Sequence, residues 1–185
     1  MSNLDLTKVL PQASLKTPFV LGVDGLSRSG KTTFVTKLEN YFKTLGYRAD
    51  TFHIDDYIEP RNRRYDTGHE EWFEYYFLQW DIEKLKEELF EKAKEGVKAD
   101  QESSNGESPL SDVVIIEGVF LQRKEWRGVF NRMLYLDCAK AVRFQRESKE
   151  TQQKVKKFED RYWKAEAYYL ENVRPGEKAD IVIES

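Results

Sequence analysis

Gly25-Leu26-Ser27-Arg28-Ser29-Gly30-Lys31-Thr32 decides how the rest of this chain is read. The stretch matches G-x-x-x-x-G-K-[ST], a phosphate-binding P-loop. Its backbone N–H groups can wrap a polyphosphate only in conformations that a Cβ would obstruct, and Gly25 and Gly30 remove that obstacle. Lys31 supplies a point charge to the β and γ phosphates, and the Thr32 hydroxyl is a Mg²⁺ ligand. Four such fixed positions arise by chance in roughly 1 in 200 chains of this length, so the flanks carry the decision. Before the loop, Phe19 to Asp24 is a short apolar run that reads as a buried strand. After it, Phe34, Leu38 and Tyr41 fall at helical spacing. Strand, glycine loop and helix aim a helix N-terminus at the phosphates. Gly25, Ser27, Ser29, Gly30, Lys31, Thr32 and Thr33 are therefore the candidate nucleotide contacts.

The 185 residues suit one domain, 1–185, with a sizeable core. Hydrophobic residues make up 39% and aromatic residues 14%, which places the chain among globular proteins. A net charge of −3 argues against a duplex nucleic-acid binder, which carries a basic excess. A small anionic ligand remains compatible, because a local pocket can be positive while the whole is acidic. No run reaches membrane-spanning length, and no signal peptide is evident at the start. The lone Cys138 allows no intramolecular disulfide. These features lead to the expectation of a soluble cytoplasmic protein that contacts neither nucleic acid nor membrane. The oligomeric state stays open, a homo-oligomer included.

Short Val- and Ile-rich runs alternate with helical patterns along the chain. Strands are expected over 19–24, 48–54, 113–116, 133–137 and 179–183. Helices are expected after the P-loop to near Gly46, over 69–79 and 81–95, briefly over 124–129, and over 140–149 and 154–171. Residues 57–68 read as a long loop, and 98–112 as a polar loop or a hairpin with Asn105-Gly106 at its tip. Continuous apolar strands imply a sheet covered on both faces. The expected fold is an α/β three-layer sandwich with a parallel sheet of about five strands.

Ligands of such sheets bind beyond the carboxyl ends of the strands. There the sequence places the P-loop, Asp55-Asp56 and Glu117-Gly118. An apolar strand ending in an acid is the position of a carboxylate that holds Mg²⁺, here Glu117 beside Thr32. A carboxylate after the second strand can take the proton of an attacking hydroxyl or orient it, a role for Asp55. Arg143 and Arg146 are three apart on one helical face and are candidates for a lid, around 143–161, that closes on a transferring phosphoryl group. Aromatics crowd 65–80; most are core at helical spacing, though a ring there can also stack on an aromatic acceptor. His53 and His69 lack the company a metal site requires, and Cys138 reads as buried filler.

The segments Gly22-Val23-Asp24-Gly25 to Thr33, Ile54-Asp55-Asp56-Tyr57-Ile58-Glu59-Pro60, Val113-Val114-Ile115-Ile116-Glu117-Gly118 and Pro175 to Ile183 resemble the uridine kinase-like branch of P-loop kinases. That branch includes uridine kinase, phosphoribulokinase, pantothenate kinase and nicotinamide riboside kinase, and the likeness runs from about 19 to 184. The paired aspartates look most like the nicotinamide riboside kinases. The resemblance implies Mg-ATP as phosphoryl donor and a hydroxyl-bearing nucleoside or related small metabolite as acceptor. It implies Asp55 as the base on the acceptor hydroxyl, Glu117 as a contact to Mg²⁺ or substrate, and Arg143 or Arg146 as lid arginines. Catalytic candidates are thus Lys31, Asp55, Arg143 and Arg146. Substrate candidates are Asp55, Asp56, Tyr57, Tyr65 and Glu117. Tyr65-Asp66-Thr67-Gly68-His69 only partly echoes the His-Pro-Asp-Ala-Phe-like segment that shapes the uridine kinase pocket.

Other classes fit less well. A GTPase calls for Asn-Lys-x-Asp and an ABC-type ATPase for Leu-Ser-Gly-Gly-Gln, and neither occurs. A P-loop module that binds nucleotide without transferring phosphate is the remaining alternative.

Overall fold

The computed structural model describes residues 6–10, 18–96 and 110–185. The 98–112 loop or hairpin lies outside them except for 110–112. In chain order the elements are β1 (Phe19–Gly25), α1 (Lys31–Thr44) and β2 (Ala49–His53), then a 3₁₀ turn (Ile54–Tyr57). Next come α2 (Arg61–Arg64), α3 (Glu71–Phe77), α4 (Ile82–Leu85), a π-helical stretch (Lys86–Glu91) and α5 (Lys92–Glu95). Then follow β3 (Val113–Gly118), a 3₁₀ turn (Arg127–Val129), β4 (Arg132–Asp137), α6 (Lys140–Gln145), α7 (Lys149–Gln152) and α8 (Val155–Lys157). A π-helical turn (Phe158–Tyr162), α9 (Trp163–Asn172), α10 (Pro175–Lys178) and β5 (Ile181–Glu184) complete the chain.

The five strands run parallel in the order β2-β3-β1-β4-β5. The central strands β1 and β3 are buried along their whole length, which is why their sequences run apolar instead of alternating. Alternate side chains still go to opposite faces. Phe19, Leu21 and Val23 pack with Phe34, Val35, Leu38 and Phe42 of α1. Val20, Val114 and Ile116 pack on the other face with the aromatics of α3, Phe90 and Tyr169 of α9. The sheet is thus sandwiched between helices, as the sequence pattern predicts.

Several boundaries differ from the sequence reading. The expected long loop at 57–68 is partly helical, because Pro60 opens the turn of α2. The expected helix over 124–129 is only the 3₁₀ turn Arg127–Val129. The helix expected over 140–149 breaks after Gln145. Ser148 then starts α7, its hydroxyl accepting from the Thr151 N–H.

Candidate active site

A cleft of about 710 Å³ opens above the carboxyl ends of β1, β2 and β3. The P-loop joins β1 to α1 along one wall. A Cβ on Gly25 would lie 2.7 Å from Ser29 Oγ and 2.9 Å from the Leu136 carbonyl, so only glycine permits the chain to turn there. Gly30 caps α1 in the left-handed region at φ 95°. Four successive loop carbonyls are each taken by a side-chain donor. Lys31 Nζ donates to Leu26 O (3.2 Å), Arg143 Nη1 to Ser27 O (3.2 Å), Arg146 Nη1 to Arg28 O (2.9 Å) and Ser185 Oγ to Ser29 O (2.7 Å). Holding these peptide oxygens fixes the peptide planes of the loop, the requirement for an anion cradle built from backbone amides.

Lys31 is buried, and burial pushes its ammonium pKa down, while the charges of Glu117, Asp24 and Asp55 act the other way. Beside it, the Thr32 hydroxyl donates to Glu117 Oε2 at 3.1 Å. His53, the last residue of β2, places Nδ1 2.7 Å from the same oxygen. A carboxylate only accepts, so Nδ1 carries the proton, and His53 fixes the rotamer of Glu117. Gly118 explains how the neighbouring strand end comes so close. A Cβ there would sit 2.1 Å from Ile54 Cγ1. Its absence lets Ile54, and with it the turn carrying Asp55, pack directly against β3. Trp80 pins the same turn by donating Nε1–H to the Ile54 carbonyl at 2.7 Å.

Asp55 lines the cleft. Burial raises its pKa; Lys31 pulls it down, and Glu117 and Asp56 push it further up. Below the P-loop, Asp24 ends buried in a network. It accepts from Tyr169 OH (2.5 Å), Gln122 Nε2 (3.0 Å) and the Leu121 N–H (3.3 Å), tying α9 and the segment after β3 to the strand that feeds the loop. Burial raises the Asp24 pKa, and the bonds from Tyr169 and Gln122 oppose the rise.

Lys31, Thr32, Asp55, Glu117, Arg143 and Arg146 all line this cleft, with Ser27, Gly30 and Thr33. Gly25 and Ser29 lie buried beneath the loop instead of on its cleft side. Asp56, Tyr57 and Tyr65 are not cleft residues. Asp55 and Asp56 are both exposed on their turn, but only Asp55 lines the cleft, and Tyr57 packs against the core. The Tyr65 ring is held by cations: the Arg161 guanidinium stands 3.8 Å from its centroid and Arg61 4.0 Å.

Both arginines expected in a lid contact the P-loop in this structure. Arg143 is buried and gripped bidentately by Glu166 (Nη1–Oε1 2.7 Å, Nη2–Oε2 3.0 Å), and its Nε donates to the Cys138 carbonyl. Together with Arg146 it braces the P-loop. Burial raises the Glu166 pKa, and Arg143 opposes the rise. Arg161, in the expected lid, is fully buried and pairs with Glu74 of α3 at 3.1 Å. Tyr75, one of the aromatics of 65–80, lines the cleft, and so do Gln79, Phe158, Tyr162 and Glu166, which were not singled out from sequence. The two tyrosines and Gln79 lie in the aromatic-rich or helical stretches, where nothing in the spacing separates a cleft residue from a core one.

The donor set fits a hard cation and a polyphosphate. Thr32 and Glu117 offer adjacent oxygens, and among the described residues no cluster of three or more acidic, histidine or cysteine side chains forms a protein-only metal cage. Mg²⁺ is held in this way when phosphates and water complete its shell.

No family model matches the chain, and no curated protein matches it. Among solved structures, one from Bacillus stearothermophilus described as a "possible uridine kinase" is 42% identical, with 96% of this chain and 92% of that one covered and a TM-score of 0.75. The chain belongs to the uridine kinase-like family of P-loop kinases. The fold recurs at lower identity. A "putative fructose transport system kinase" from Silicibacter sp. TM1040 is 19% identical, covering 96% of each chain at a TM-score of 0.66. Shikimate kinase from Bacteroides thetaiotaomicron is 17% identical, with 90% of this chain and 85% of that one covered and a TM-score of 0.50. The α/β P-loop kinase architecture follows, and P-loop kinases as a class use ATP and Mg²⁺. No helix among the described residues is long and apolar enough to cross a membrane.

Proposed function

We propose that this kinase transfers the γ-phosphoryl group of ATP to a hydroxyl of a nucleoside or related small metabolite that carries no negative charge. One observation carries the reading: Asp55 shares a single cleft with Lys31, Thr32 and Glu117. The P-loop amides and Lys31 bind and orient the phosphates. Thr32 and Glu117 would hold Mg²⁺, which when bound neutralises charge on the transferring group. Asp55 accepts the acceptor's hydroxyl proton or orients that hydroxyl, a step in which placement outweighs basicity.

Charge distribution favours an acceptor without negative charge. The cations at the cleft (Arg28, Lys31, Lys140, Arg143 and Arg146) come from the P-loop, α1 and α6. The opposite wall offers Asp55, Ile58, Tyr75 and Gln79 and no cation. A phosphate or carboxylate on the acceptor would meet the Asp55 carboxylate on a wall that presents no cation of its own to the cleft. The buried free thiol of Cys138 suits the reducing cytoplasm, where we place the activity.

The test is ADP formation from Mg-ATP with uridine, cytidine, nicotinamide riboside, pantothenate and ribulose 5-phosphate. The expected result is turnover with one of the first three. Turnover confined to the anionic pair would overturn the charge argument, and acceptor-independent hydrolysis alone would favour a nucleotide-hydrolysing module.

A further inference from the structure

Gln79 follows α3 and lies on the cleft wall beside Asp55, Ile58 and Tyr75. It is only 6% exposed. Its backbone carbonyl accepts the Glu59 N–H at 3.0 Å, which locks the main chain. Its side-chain Oε1 accepts from Arg64 Nη1 at 3.2 Å, and Arg64 Nε is itself held by the Glu59 carbonyl at 2.8 Å. A guanidinium has donors and no acceptor. The Gln79 amide therefore cannot be reversed without setting its NH₂ against the Arg64 N–H groups. Its oxygen is committed to Arg64, and no described residue accepts from the NH₂. Solvent reaches this NH₂ in the open cleft, and a ligand that displaces that solvent without accepting from the NH₂ leaves the donor unpaired, so the amide discriminates between ligands that can and cannot accept from it.

We propose that Gln79 is a specificity residue that donates from its amide NH₂ to an oxygen of the acceptor, with Arg64 as the positioning residue that holds the amide in that sense. The inference rests on the kinase reading above. Asp55 takes a hydroxyl proton and Gln79 offers one. The acceptor class is then a molecule carrying the phosphorylated hydroxyl together with a second hydroxyl or a carbonyl oxygen. An analogue with an amine or a methyl group in that second position is rejected.

Uridine, cytidine and nicotinamide riboside serve as probes with the full chain, reading kcat and KM for the acceptor and KM for ATP. Gln79→Glu keeps the partner of Arg64 and replaces the donor by an acceptor. Its acceptor kcat/KM is expected to fall about 10-fold or more, mainly through KM, with KM for ATP changed by less than about 2-fold. Arg64→Met frees the amide to rotate and is expected to give a smaller loss of the same pattern, which a merely structural role would not produce. Gln79→Met removes both polar atoms at similar volume and replaces Gln79→Glu if the latter fails to fold, judged by thermal unfolding. An acceptor KM within about 2-fold of wild type in a folded Gln79 variant overturns the assignment while leaving the kinase reading intact. Wild-type protein inactive with every probe overturns both.

Discussion

The two walls of the cleft are built on different principles. The P-loop wall is a contiguous stretch whose backbone does the recognising. Lys31, Arg143, Arg146 and Ser185 hold four successive loop carbonyls. The facing wall has no such segment. Asp55, Ile58, Tyr75 and Gln79 come from a 3₁₀ turn, the residue after it, a helix and the turn beyond that helix. Backbone amides recognise any polyphosphate and can be specified by a short motif. Side chains read one ligand and need only meet in space. One wall can therefore be shared by a large class of enzymes while the other sets what each of them phosphorylates.

Three substitutions break that comparison from opposite sides. Lys31→Ala acts on the P-loop wall and is expected to lower kcat/KM for ATP by about 10²–10³-fold or more, measured by ADP release. Near-normal turnover would contradict the assigned role. Arg161→Met acts beneath the facing wall. It strands the buried Glu74 carboxylate, which Thr67 also holds through its N–H (2.8 Å) and hydroxyl (2.9 Å). Loss of a partner from such a pair costs about 3–5 kcal/mol, readable from urea unfolding. Burial alone would raise the Glu74 pKa, but the bonds from Thr67 and Arg161 outweigh it and lower it. The folded-state pKa thus lies below the ordinary 4.5. This contribution is complete above that pH and is lost as pH falls through the lowered value. Gly118→Ala acts where the walls meet. Its new Cβ collides with Ile54, and a cost of about 1–3 kcal/mol is expected. The Asp55 turn must shift away from Glu117, so acceptor turnover should suffer more than ATP affinity.

The same contrast explains what the sequence could reveal. The P-loop, its flanking strand and helix, and the acid near the end of β3 were legible because each is a local pattern with a fixed spacing. Asp55 was legible because the strand expected over 48–54 stops just before the paired acids Asp55-Asp56. Gln79 and Glu166 were not, since their roles arise from Arg64 and Arg143, which lie 15 and 23 residues away. His53 was dismissed as a metal ligand, and its contact with Glu117 depends on β2 pairing with β3, which no local pattern specifies. Tyr65 pointed towards substrate by a partial motif echo. Its neighbours Arg61 and Arg64, with Arg161 from far along the chain, claim both the ring and its position. Arg143 and Arg146 share a helical face as expected, yet the P-loop carbonyls and Glu166 occupy their donors.

The central claim is that Asp55 addresses the acceptor while the P-loop wall binds ATP independently of it. Asp55→Asn tests this in one comparison of acceptor-dependent ADP formation and ATP affinity across pH. Burial raises the Asp55 pKa above the ordinary 3.8, and the base must be ionised, so wild-type kcat/KM should fall as pH drops through that raised value. The account predicts that Asp55→Asn loses transfer by about 10²–10⁴-fold, loses this acid limb and keeps its ATP affinity. Undiminished transfer, or loss of ATP binding in parallel with transfer, would contradict it.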